Sequence, residues 1–206
     1  MAFRSLRPAW LPCVAASVAW LAAACGMAGD PGPGRVPWST SRIHGTPEPP
    51  PPFETRPAYP HLSFRRPTEL AVAPGVGRIF VAEQGGRVYS FPDDAACREA
   101  DLFVDANMLV KALAARSGES LVLEGLYGIT FHPDFQRNRW CFLCYAARYA
   151  DAGRGRHPHG ARVVRLTVTA DDPPVCDTAS EVEVISWLQG GHPGGCLRFG
   201  PDGCLY

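Results

Sequence analysis

Lysine is nearly missing from this chain of 206 residues, with Lys111 the only one, and net charge is missing altogether, since 20 basic residues balance 20 acidic ones. A nucleic-acid partner needs a basic surplus to neutralise phosphates, so that class is set aside. Long apolar runs are scarce too. The run from Pro8 to Ala24 is marginal in length for a bilayer span. Helical patterning is confined to roughly Ala106 to Arg116, which turns the reading toward an all-β chain.

The apolar run has a telling context. Arg4 and Arg7 precede it and "LAAAC" closes it at Cys25, which is the basic, apolar, small-residue order of a secretory signal. Residues 1–25 are therefore expected to direct export. Cys25 is either the residue after the cut or the lipid-bearing cysteine of a bacterial lipoprotein. The expected location is periplasmic or lipid-anchored, with membrane contact only through Cys25. Residues 26–63 contain "GDPGPGR" and "PEPPPP" with few aliphatics. They bury too little to offset ordering entropy and are expected to form a disordered linker. Six cysteines follow Cys25, and their fifteen possible pairings are not resolved by spacing.

From Phe64 onward the texture changes to short apolar runs broken by Pro, Gly and Asp. Three stretches repeat one pattern: "LAVAPGVGRIFVAEQGGRVYSF", "ITFHPDFQRNRWCFLCY" and "LRFGPDGCLY". Each reads as a strand, a proline turn and a second strand. The turn prolines Pro74, Pro133 and Pro201 lie 59 and 68 residues apart, as one supersecondary unit used repeatedly would place them. Gly85 and Gly86 suit a hairpin turn, and further strands are expected at Val163 to Val168 and Val182 to Leu188. A sandwich is compatible with this pattern, but the repeat favours a β-propeller. The expected fold is a partial propeller over residues 64–206, two to three blades of a longer ring, with the chain a fragment that stops inside a strand.

His192 is the sharpest candidate for chemistry. Gly190, Gly191, Gly194 and Gly195 surround it, so backbone can approach a ligand closely beside an imidazole suited to general-base work. The bland alternative is a glycine-rich connector. His132, before a turn proline, reads as structural. His157 and His159 share a strand spacing that invites a metal, but Pro158 and the flanking "GRGR" favour an exposed loop. Cys141 and Cys144 have redox-motif spacing, yet on a strand they face opposite sides, and Tyr145 stands where haem attachment needs histidine.

Taken together, Arg66 to Tyr206 resembles the soluble quinoprotein glucose/sorbosone dehydrogenase family. The residues that carry the resemblance are "RPTELAVAPGVGRIFVAEQGGRV", "EGLYGITFHPDFQRNRWCFLCY" and "GGHPGGCLRFGPDGCLY". The resemblance implies a six-bladed propeller holding pyrroloquinoline quinone and calcium. It also implies a sugar or aldehyde substrate, and a histidine that takes a proton while hydride passes to the quinone. That histidine corresponds to His192. Glu124 is a candidate on the cofactor side, and an electron acceptor such as a c-type cytochrome is implied.

Three departures stand out: Leu123 or Glu124 where a substrate-contacting glutamine is usual, Gly191 where an acid can precede the histidine, and Pro193 after it. The calcium ligands would lie beyond residue 206, so the fragment alone is expected to be inactive. The departures keep open a second reading, a non-catalytic propeller that serves as a binding module. A propeller hydrolase ranks last for want of a Ser/His/Asp order or metal cluster.

Overall fold

The computed structural model describes residues 54–206. The expected signal, Cys25 and the linker as far as residue 53 lie outside them.

The strands form two four-stranded antiparallel sheets, each in sequence order. The first contains β1 (Pro67–Val72), β2 (Arg78–Glu83), β3 (Arg87–Pro92) and β4 (Asp101–Asp105). The second contains β5 (Leu121–Phe131), β6 (Trp140–Tyr149), β7 (Ala161–Asp171) and β8 (Pro174–Trp187). Pro74 lies in the β1–β2 turn and Pro133 in the β5–β6 connection, so the repeat seen in the sequence is one meandering, blade-like sheet used twice.

Strand alternation explains what each face buries. On β2, Phe80 and Ala82 point into a core shared with the second sheet, while Ile79 and Val81 point to the outer face. Phe80 meets Phe103 and Phe131 at ring-centroid distances of 4.9 and 4.5 Å, and Phe131 meets Phe135 at 5.2 Å. The outer face is covered by Tyr59, Leu62 and Phe64. Ordered packing thus starts inside the stretch that its composition marked as linker.

A helix, α1 (Ala106–Ser117), bridges the sheets. The Asp105 carboxylate accepts the Asn107 backbone N–H as N-cap, and Gly118 ends the helix at φ 71. Ala106, Leu109 and Val110, at i, i+3 and i+4, enter the shared core. The short helix α2 (Phe135–Asn138) fills the β5–β6 connection.

Polar ties fix the two sheets to each other at both ends. The Thr68 hydroxyl lies within hydrogen-bond distance of the carbonyls of Ala82 and Leu126, its single proton serving one of them at a time, and the Leu126 N–H donates to Gln84 O at 3.1 Å. At the opposite ends of these strands the buried Arg78 guanidinium pairs with Asp101 and reaches Asp172 of the β7–β8 turn at 3.1 Å.

The far face of the second sheet is covered in part by the last described residues. Phe199 and Leu205 bridge around the turn at Pro201, and Leu197, Phe199 and Leu205 pack on Phe142, Cys144 and Val163. His132 is structural here: its Nδ1 accepts the Asp134 N–H at 3.0 Å, and its ring sits edge-on to Trp140 and Phe199. A third copy of the strand, proline turn and strand unit thus begins on the second sheet.

Candidate functional site at the His192 loop

Residues 190–195 leave the end of β8 and return across β5, and both ends of this excursion are pinned. The first pin is Gln189, a buried side chain. Its Nε2 donates to Glu124 Oε2 at 2.7 Å, and its Oε1 accepts the His157 N–H at 3.4 Å. Its own N–H donates to the His157 carbonyl at 3.0 Å. Gly160 clears the space: a Cβ there would lie 2.7 Å from that of Gln189.

The second pin is a contact of backbone on backbone. A Cβ at Gly128 would overlap the Gly195 carbonyl oxygen, and one at Gly195, which has φ 122, would lie 2.6 Å from Tyr127 Cβ. Only glycine lets the loop lie this close to β5. Gly190 and Gly191, by contrast, have open space where a Cβ would stand. His192 sits on the crown between the pins, exposed, and Pro193 after it limits the backbone further.

The arrangement divides the residues singled out in the sequence. Glu124 and His192 belong to one region, joined through Gln189, and the Glu124 carboxylate spends a hydrogen bond on positioning that residue. His159 is exposed, as an open loop would have it, whereas His157 is buried. The reason is a set of partners distant in sequence. His157 Nε2 lies 2.8 Å from Glu119 Oε2, its ring tilts against Tyr149, and its Nδ1 accepts the His159 N–H at 3.1 Å. The His157 hydrogen bond holds the Glu119 carboxyl below its ordinary range, helped by Tyr149 and Arg154. Gln189 and His157 carry no local motif, since a polar residue closing a strand and a histidine among arginines and glycines both read as loop.

Cys141 and Cys144 face opposite sides, as alternation requires, with Cys141 in the shared core and Cys144 on the far face. Burial pushes the Cys144 thiol up to about 11. Cys141 Sγ touches Cys176 Sγ at 3.4 Å. Both are free thiols in this arrangement. Among the described residues no group of three or more His, Cys, Asp or Glu side chains could hold a metal ion.

Comparisons with known proteins bear on the family of this chain. A family model described as Glucose / Sorbosone dehydrogenase matches residues 64–206. The chain is 33% identical over 150 residues to the Hedgehog-interacting protein of Mus musculus, which covers 70% of this chain and 21% of that protein. It is 32% identical over 135 residues to the Hedgehog-interacting protein of Homo sapiens, covering 64% and 18%. The chain therefore spans about a fifth of the length of these curated relatives. A solved structure, the PQQ-bound form of aldose sugar dehydrogenase from Streptomyces coelicolor, matches with 20% identity and a TM-score of 0.45, covering 69% of this chain and 37% of that one. With its repeat units, its glycine-pinned histidine loop and a family match over more than half its residues, the chain belongs to the glucose/sorbosone dehydrogenase family.

Proposed function

We propose that this chain supplies the base-bearing part of a sugar oxidoreductase built as a six-bladed β-propeller, exported and periplasmic or membrane-anchored. The observation that carries the reading is His192, held on a loop pinned at both ends with its imidazole open to solvent. A histidine presented this way accepts the proton of a sugar hydroxyl while the pins keep its approach angle fixed. The exposed glycine crown leaves room for a polyol beside the ring. The coverage of the second sheet by Leu197, Phe199 and Leu205 supports a ring of further blades.

The described residues fit one part of the family's chemistry and not the rest. His192 fits proton transfer. No described group of three or more His, Cys, Asp or Glu side chains could hold calcium, and one Glu124 oxygen already accepts the Gln189 amide, so we assign neither calcium nor the quinone to these residues. Hydride acceptance therefore falls to groups other than these, and His192 handles the proton alone.

The test is dye-linked oxidation of aldoses by the full-length protein loaded with quinone and calcium, beside His192→Ala. Turnover that His192→Ala reduces at least a hundredfold, in line with the ~10²–10⁴-fold contribution of a general base, supports the reading. No turnover with any aldose overturns it.

A second reading, a non-catalytic binding propeller, is favoured by one specific observation. The better-matched curated relatives are named for an interaction rather than a reaction. Quinone that produces no thermal shift in the full-length protein supports this second reading, and saturable stabilisation counts against it.

A further inference from the structure

Away from the His192 loop, the fold concentrates positive charge in one place. A cavity of about 680 Å³ opens beside the β2–β3 turn, and its walls carry His61, Arg65, Arg66, Arg87 and Arg98 with a single carboxylate, Glu83. Glu83 is buried, and its Oε1 accepts the Arg65 backbone N–H at 2.5 Å. Arg87 has a partner in Asp105 at 3.6 Å. Arg65, Arg66 and Arg98 form no ion pair among the described residues. Three guanidinium groups around one cavity with no ion pair among the described residues are a local surplus of positive charge.

Two features narrow what could fill the cavity. Arg66 holds a left-handed backbone at φ 51, fixed by the Gln84 N–H on its carbonyl at 3.0 Å. Strain of this kind in a residue with a Cβ collects at ligand clamps and persists only where neighbours enforce it. Phe64 and Tyr89, with ring centroids 6.3 Å apart, add aromatic surface to the lining, the Tyr89 hydroxyl lying beside Arg87. An inorganic ion would leave that surface and much of the volume unused.

We propose that this cavity binds a small organic polyanion, a molecule of about citrate size that carries two or three carboxylate or phosphate groups. Guanidinium forks suit both kinds of oxyanion because each presents two parallel N–H donors to two oxygens. The volume lies within the ~300–1,000 Å³ range of small-molecule sites. None of the walls belongs to residues 189–195, so this site and the His192 reading stand or fall separately.

The experiment is calorimetric titration of the full chain in about 50 mM salt, where screening is weak, with citrate as the carboxylate probe, pyrophosphate as the phosphate probe and glucose as the neutral control. We expect one anion or both to bind with a dissociation constant below about 1 mM, and glucose not to compete at this site. Arg98→Ala, and Arg66→Gly, which removes a guanidinium while relieving the left-handed backbone, should each weaken binding roughly tenfold. Arg137→Ala, which removes an exposed arginine outside the cavity, should leave it unchanged. Citrate and pyrophosphate that both bind more weakly than about 1 mM, or with equal strength in all three variants, would overturn the proposal as general surface attraction.

Discussion

The Gln189 amide donates to the Glu124 carboxylate at 2.7 Å, joining residues 65 apart in sequence just where β8 gives way to the histidine loop. This bond, together with the two that tie Gln189 to His157, decides where residues 190–195 begin their excursion. The position of His192 therefore depends on three elements: β5, the loop before β7 and the end of β8.

Gln189→Leu keeps much of the side-chain volume but removes both amide bonds. It should destabilise the fold by about 1–3 kcal/mol by leaving the half-buried Glu124 carboxylate and the buried His157 N–H without this partner. Hydrogen exchange at residues 190–196 should quicken severalfold beyond that global loss. Exchange unchanged at these amides would show that the glycine contact alone holds the loop.

The glycines of this region should sort into two kinds. Gly128→Ala puts a methyl group onto the Gly195 carbonyl and should cost at least about 2 kcal/mol, because backbone must move to relieve it. Gly191→Ala meets nothing and should fall within about 0.5 kcal/mol of the parent. Urea melts of the two variants check the pair.

Acid should loosen the His157 anchor through Glu119. The folded protein lowers this carboxyl below its ordinary value, so the stabilisation is present above the unfolded pKa and is lost as pH falls through the depressed folded one. Melting temperature should therefore drop below about pH 4.5, and the drop should be shallower in Glu119→Gln. Identical acid limbs in the two proteins would remove Glu119 from this role.

Thiol reactivity should follow burial. Cys196 and Cys204 are exposed and should alkylate quickly at neutral pH in the folded protein. Cys144 is buried with its thiol pushed up to about 11, and Cys141 and Cys176 are buried against each other, so these three should react only on unfolding. Peptide mass mapping of native and urea-treated samples reads the difference.

The strands, the hairpin at Gly85 and Gly86, the proline turns and the opposed faces of Cys141 and Cys144 were legible in the sequence, because each is written in a period of two or in a turn residue. The helix at Ala106 was legible from its spacing. The burial of His157 was not. "GRGRHPHG" is locally a loop, and the partners that bury it, Glu119 and Gln189, stand 38 and 32 residues away. The Glu124–Gln189 bond was hidden for the same reason. At His192 the glycine pattern marked the place, but not that Gly195 serves close packing on β5 while Gly190 and Gly191 leave open space.

Tyr59, Leu62 and Phe64 close the outer face of the first sheet over Ile79, Val81 and Phe91. They set the boundary at which the domain can be cut. Trimming that stops at Glu54 keeps this cover, whereas trimming through Phe64 strips it from three apolar side chains and leaves a sticky plane prone to self-association. The proline-rich approach to the domain thus ends in a short cap that belongs to the folding unit, and any recombinant boundary drawn at the first strand discards it.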